Sequence, residues 1–293
     1  DLRDWRIVYA ESQNGNLIRR NRVTGESKNI RPAGENILNA KPDDPPLRWN
    51  WDTPVALSPH DPGVLYVAAN RLFRSTDRGD SWTAISPDLT HGTSIYTFAE
   101  SPKQPGVIYA GSDDGSLQMT RDGGRTWIDI AKNLPGMFSG GVVSEVVPSR
   151  FDAATVYVTV DGHFENNFEP YIWASTDFGA TFHSIIGNLK GTNVRTLTED
   201  TRNPDVLYIG TESGIFLTLD RGTSWKRLKA NLPMVRVDEL TIMPRDNSLL
   251  VATHGRALWI LDHLEPIQEY AAASGSASDA HLLLPPTALQ WKA

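Results

Sequence analysis

LFRSTDRGDSWTAISPDL, residues 72–89, is the stretch whose reading decides the fold. Its centre, Ser75-Thr76-Asp77-Arg78-Gly79-Asp80-Ser81-Trp82, has the shape S/T-x-D-x-G-x-x-W. The shape returns at Thr120, Asp122, Gly124 and Trp127, at Ser175, Asp177, Gly179 and Phe182, and at Thr218, Asp220, Gly222 and Trp225. Six residues past each aromatic stands an Asn or Asp followed by Leu: Asp88-Leu89, Asn133-Leu134, Asn188-Leu189 and Asn231-Leu232. Recurrence in one register marks a repeat architecture.

The residue types say what each copy does. An Asp or Ser side chain accepts backbone N–H bonds two residues on and so shapes a turn. Gly two places after the Asp supplies a positive φ without a Cβ clash. Apolar, β-favouring residues flank the turn, as in Ile215-Phe216-Leu217 before one copy and Trp225 after it, which reads as a hairpin. The aromatic at Trp82, Trp127, Phe182 and Trp225 offers a large area to bury against a neighbouring unit. Asp77, Asp122, Asp177 and Asp220 are therefore expected to pin turns and do no chemistry.

Outward from the boxes, an apolar strand, a turn and a Tyr-bearing strand precede each hairpin. Strands at 53–58, 64–69, 72–75 and 82–85 make one unit. Three more follow, at 95–130, 142–186 and 194–228, the one at 142–186 carrying an insertion at 162–170. Residues 237–242, 249–252 and 257–261 begin a further unit that stops before its box, and 6–30 form a degenerate first one without an opening strand. Short strands in a repeat of this length indicate propeller blades. The fold class expected is all-β, a β-propeller of about six repeat units with four boxes. Its incomplete first and last units suit part of a larger or tandem propeller. The propeller spans 1–262, with regular blades over 53–262. Residues 31–48, rich in Pro, Gly, Asn and Asp, form a loop longer than a scaffold connection needs, which points to a functional or mobile segment. Residues 263–293 read as a flexible linker, clearest at EYAAASGSASD, followed by a tail strand at 281–284.

The repeated motif resembles the Asp box, or BNR repeat, of β-propellers such as sialidases, xyloglucan-active glucanases and the sortilin ectodomain. Beyond the boxes the chain looks closest to bacterial sortilin-like proteins, in Arg48-Trp49-Asn50-Trp51-Asp52-Thr53-Pro54, Ser149-Arg150-Phe151-Asp152 and Thr253-His254-Gly255-Arg256. The resemblance implies that the boxes lie away from the ligand mouth. The mouth would be formed by turns joining the second and third strands of each blade. One such fold hosts many activities, so the boxes identify architecture more than function.

Composition narrows the rest. With 40% hydrophobic and 22% charged residues, the 293-residue chain is long enough to bury a proper core. Asp and Glu outnumber Lys and Arg by 35 to 28, which argues against nucleic acid as a partner. No run approaches the roughly eighteen apolar residues of a membrane span. There is no Cys, so neither disulfides nor thiolate metal sites arise. The His spacing matches no zinc motif and Asp113-Asp114-Gly115 lacks the spaced ligands of a calcium loop, so no metal or other cofactor is expected.

Aligning the units brings Arg71, Asp113, Asp161, His163, Glu212, His254 and Arg256 to the mouth as ligand-binding candidates, with Asn70, Asp114 and Glu165 beside them. Carboxylates, His and Arg converging on one axis suit a polar ligand; polar turns on a solvated face are the plainer alternative. A glycosidase needs two carboxyl groups at a defined separation, and Asp113 or Asp114, Asp161, Glu165 and Glu212 could supply them. The F/Y-R-I-P motif of sialidases is absent, and only Arg71 and Arg256 reach the mouth. Trp49 and Trp51 flank Asn50 and could form a sugar platform. The reading favoured is a non-catalytic binding or scaffold propeller of a larger exported sortilin-like protein, extracellular or periplasmic. It would present its mouth to a peptide, protein or glycan, with other segments of the parent chain as further partners. The alternative is a glycoside hydrolase, more glucanase-like than sialidase-like.

Overall fold

The computed structural model describes residues 1–229, 231–273 and 282–283. They form six antiparallel sheets, each a simple meander, and one α-helix. This is the all-β propeller class with six blades. The chain divides into two compact units, residues 1–167 with 172–184, and residues 168–171 with 185 onward.

The first unit holds four sheets. The first is three-stranded: β1 (Ile7–Glu11), β2 (Leu17–Asn21) and β3 (Ser27–Asn29). The second comprises β4 (Val55–Leu57), β5 (Leu65–Ala68), β6 (Leu72–Ser75) and β7 (Thr83–Ala84). The third comprises β8 (Ile95–Glu100), β9 (Ile108–Ser112), β10 (Leu117–Thr120) and β11 (Ile128–Asp129). The fourth comprises β12 (Val142–Pro148), β13 (Val156–Asp161), β14 (Tyr171–Ser175) and β15 (His183–Ser184). The second unit holds a fifth sheet, β16 (Val194–Glu199), β17 (Leu207–Thr211), β18 (Gly214–Thr218) and β19 (Lys226–Arg227). Its sixth sheet has three strands, β20 (Val237–Met243), β21 (Ser248–Thr253) and β22 (Leu258–Leu261), and α1 (Glu265–Ala273) follows.

Each box is the turn between the third and fourth strands of its sheet. In the second sheet Ser75 Oγ donates to Asp77 Oδ1 at 2.8 Å and accepts from the Gly79 N–H at 2.8 Å. Asp77 accepts from the Ser81 N–H at 2.9 Å and from the Ser81 hydroxyl. The same bonds recur at Thr120–Asp122–Gly124–Thr126, Ser175–Asp177–Gly179–Thr181 and Thr218–Asp220–Gly222–Ser224. Gly124 shows why glycine is needed: its φ is +97°, and a Cβ there would sit 2.2 Å from the Ile85 carbonyl oxygen. The aromatic then locks consecutive sheets. Trp82 Nε1 donates to the Ile30 carbonyl at 2.7 Å, Trp127 to Ile85 at 3.0 Å, and Trp225 to Ile185 at 2.8 Å. Phe182 is buried with no N–H to give; there Asn133 Nδ2 bonds the Gly179 carbonyl at 2.8 Å.

Packing between sheets supplies the core, as expected when blades cannot bury their faces alone. Leu17 and Ile30 pack with Leu65, Val67, Phe73 and Trp82, and Leu72 packs with Ile95, Phe98 and Ile108. In the second unit Tyr208, Ile215 and Leu217 pack with Val237, Leu240, Leu249 and Val251.

Two segments differ from the sequence reading. Residues 31–48 are tied down: Leu38 N donates to the Trp82 carbonyl at 2.8 Å, Trp82 N to Asn36, and Asn39 exchanges two 2.9 Å bonds with the Ala84 backbone. The loop therefore serves as an anchor for the first box strand. The expected linker is helical through Ala273, because Ala-rich sequence propagates a helix and Gln268 fixes it. Gln268 Nε2 bonds both Asp200 carboxylate oxygens at 3.0 and 2.9 Å and also Asn247. The tail strand at 281–284 lies outside the described residues except for Leu282 and Leu283, which belong to no regular element. No helix among the described residues is long and apolar enough to cross a membrane.

Candidate functional site

In each of the four sheets that carry a box, the turn between the second and third strands lies at the end opposite the box. In the first unit Arg71, after β5, is mostly buried; its guanidinium pairs with Asp44 at 2.8 Å and donates to the Ser86 carbonyl at 3.1 Å. It fastens the 31–48 loop. Asn70 beside it bonds Arg48 N and Asp88, and Arg48 in turn pairs with Asp88 and bonds the Thr93 carbonyl. Burial pushes the Asp88 carboxyl up, but the bonds from Asn70, Arg48 and Thr90 outweigh it and hold the group ionised.

Asp113 accepts from Ser94 N and Ser94 Oγ, both at 3.1 Å, and from Asn50 Nδ2 at 3.3 Å. Asp114 accepts from Ser112, Ser116, Thr93 and the His91 N–H. Burial opposes ionisation of Asp114, yet those donors hold its carboxyl far below the ordinary range. Asp161 is 2% exposed and accepts from the His163 N–H at 2.8 Å, which starts the short turn that carries the insertion. Two aromatic side chains here are open to solvent: Trp51 is 59% exposed and Phe164 77%, with His163 edge-on to Phe164 at 5.6 Å. Trp49 is half-buried under the Arg31 guanidinium, 4.7 Å from the ring centre.

In the second unit Glu212 is half-buried, and its Oε1 is enclosed without a hydrogen-bond partner. His254 donates its backbone N–H to the Arg236 carbonyl at 2.9 Å and sets Nδ1 3.4 Å from Asp238. Arg256 is exposed and its side chain makes no ion pair among the described residues. Asp238 is the hub here, pairing with Arg236 at 2.7 Å and Arg195 at 3.2 Å. The structure thus joins Asp161 to His163 and Asp238 to His254, while Arg71 and Asp113 are held by other partners.

Sequence reasoning missed Arg195, Arg236 and Asp238. Their placement follows from strand irregularities that the structure reveals. Register shifts recur in the first strands at Ile95/Thr97, Val143/Glu145, Val194/Thr196 and Val237/Glu239. Each follows an apolar residue, and Arg195 and Asp238 are two of the residues skipped. A bulge re-aims the side chain that it carries. Among the described residues, no group of three His, Asp or Glu side chains could hold a metal ion.

Fold and turns together define a β-propeller similar to those of glycoside hydrolases of the GH74 xyloglucanase type. The chain is 26% identical over 211 residues to the xyloglucanase Xgh74A of Acetivibrio thermocellus, covering 59% of this chain and 25% of that protein. It is 28% identical over 217 residues to a xyloglucanase of a Paenibacillus species, covering 59% of this chain and 20% of that protein. The GH74 xyloglucanase structure from Xanthomonas campestris superposes with a TM-score of 0.63 at 16% identity, over 89% of this chain and 42% of that one. The chain thus spans about a quarter of the length of the curated relatives that it matches. No family model matches it.

Proposed function

We propose that this chain is a non-catalytic binding propeller, part of a larger exported, sortilin-like protein. It presents the turns opposite its boxes to a glycan or a peptide. One observation carries the reading: the three aspartates at those turns, Asp113, Asp114 and Asp161, already accept bonds from protein donors, while aromatic and cationic side chains are exposed. Asp113, Asp114 and Asp161 accept bonds from Ser94, Asn50, Ser112, Ser116 and His163. A general acid must hold a proton and a nucleophile must be free to move onto substrate; carboxyl groups engaged by protein donors are poorly placed for either role. Exposed Trp51, Phe164 and His163 in one unit, and His254 and Arg256 in the other, suit stacking and polar contact with a ligand.

A second reading, glycoside hydrolysis of the glucanase kind, is favoured by the relatives' names. It would have to rest on Glu165 or Glu212, which the structure leaves least engaged. Titration calorimetry with xyloglucan oligosaccharides, run beside an assay for new reducing ends, separates the two. Binding without new reducing ends supports the proposal. Release of reducing ends that disappears in Glu212→Gln or Glu165→Gln would overturn it in favour of hydrolysis.

A further inference from the structure

The turn between β21 and β22 is built more tightly than a connection requires. Thr253 Oγ1 donates to the Ala257 carbonyl at 2.6 Å, Trp259 Nε1 donates to the Arg256 carbonyl at 2.8 Å, and the His254 N–H goes to the Arg236 carbonyl at 2.9 Å. Ala257 is held at a φ of +64°, a strained conformation for a residue with a Cβ that the surrounding bonds must offset. The outcome is a fixed turn that keeps two polar side chains exposed, His254 and Arg256.

Charge within this group of side chains does not balance. Asp238 Oδ1 is shared by the guanidinium groups of Arg236 at 2.7 Å and Arg195 at 3.2 Å, and His254 Nδ1 stands 3.4 Å from Oδ2. Arg256 gives its carbonyl to Trp259, but its guanidinium has no ion pair and no hydrogen bond among the described residues. Arg71, in the corresponding turn of the second sheet, shows the structural alternative, mostly buried and paired with Asp44. In a chain of net charge −7, an exposed cation near two guanidinium groups that share one carboxylate attracts an anion.

The chemistry of that anion follows from what the turn has left to offer. The carbonyls of Arg256 and Ala257 and the N–H of His254 are already bonded. A peptide, ordinarily read through its main chain, finds little backbone here to pair with. Side chains remain. A planar guanidinium can hold a carboxylate through two parallel N–H bonds. The His254 ring, oriented at Nδ1 by Asp238, has no partner at Nε2 among the described residues and can bond a hydroxyl there. A carboxylate and hydroxyls on one rigid ring are the functional groups of a uronic acid. Given the glycan-binding function proposed above, on which this rests, we infer that the turn 253–257 binds a uronate unit of an acidic glycan. Arg256 takes the carboxylate, His254 takes a ring hydroxyl, and Asp238 holds the imidazole in place.

Titration calorimetry at low salt tests this with trimers of galacturonate and of glucuronate, each beside its methyl ester, and with a neutral xyloglucan oligosaccharide. At least one acidic trimer is expected to bind about tenfold or more tightly than its ester. Arg256→Ala is expected to abolish that difference and leave the melting temperature unchanged. Arg256→Lys, which keeps the charge but loses the fork, is expected to restore only part of it. Acidic and esterified trimers that bind equally, beside a neutral oligosaccharide that binds, would overturn the anionic specificity and leave the binding propeller standing. Absence of binding by all of these sugars would count against both. An acidic trimer that keeps its advantage in Arg256→Ala would put the anion elsewhere. A carboxylate-ended peptide that binds through Arg256 where both trimers fail would overturn the assignment to a glycan.

Discussion

At one end of the second to fifth sheets the chain turns the same way four times; at the other end it turns differently in each. The box turns repeat bond for bond, from Ser75–Asp77–Ser81 to Thr218–Asp220–Ser224. The opposite turns are Asn70-Arg71, Asp113-Asp114-Gly115, the insertion at 162–170 and Glu212-Ser213. Both ends are polar and both carry Asp. The difference lies in what the polar groups serve: in the boxes Asp77, Asp122, Asp177 and Asp220 each satisfy their own turn, and the aromatic beside each packs against a neighbouring sheet. Repetition marks the end that builds the molecule, and divergence marks the end free to specialise.

The comparison can be attacked first where the largest effect is expected. Trp82 is fully buried and bonds Ile30, so Trp82→Ala should cost about 3–5 kcal/mol in chemical denaturation. A cost near that of a surface substitution would mean that the box does not fasten sheets. Acid comes next. Hydrogen bonds hold Asp122 and Asp177 below the usual carboxylate range, and at Asp77 and Asp220 similar bonds outweigh an opposing effect of burial. A carboxyl depressed by folding stabilises the native state above its unfolded pKa, about 4, and that contribution is lost as pH falls through the folded value. The melting temperature should therefore drop increasingly below pH 4. Asp77→Asn, Asp122→Asn and Asp220→Asn should each flatten that drop.

Much of this was legible in the sequence because the box is local chemistry. A turn needs its acceptor and its glycine within a few residues, so Asp77 and Gly79 announce the hairpin without help from the rest of the chain. The partners of longer range were not legible. Nothing near Gln268 shows that it will bond Asp200, so an Ala-rich helix read as a linker. Nothing near Arg71 shows that Asp44 will occupy it, and the Asp238 hub depends on strand bulges that composition does not record.

Smaller effects sharpen the comparison. Asp77→Ala leaves the Ser81 N–H without its acceptor, but the turn is open to water, so a cost of about 1 kcal/mol is expected. Arg256→Ala, in the exposed turn between β21 and β22, should change stability by no more than about 0.5 kcal/mol.

The most direct test measures both properties on the same samples: melting temperature, and titration with xyloglucan oligosaccharides, for the parent chain, Asp77→Ala and Arg256→Ala. If one end builds and the other binds, Asp77→Ala lowers the melting temperature and leaves affinity unchanged, while Arg256→Ala weakens binding and leaves the melting temperature unchanged. Loss of affinity in Asp77→Ala, or equal loss of stability and affinity in Arg256→Ala, would contradict the division of labour between the box turns and the turns that join second and third strands.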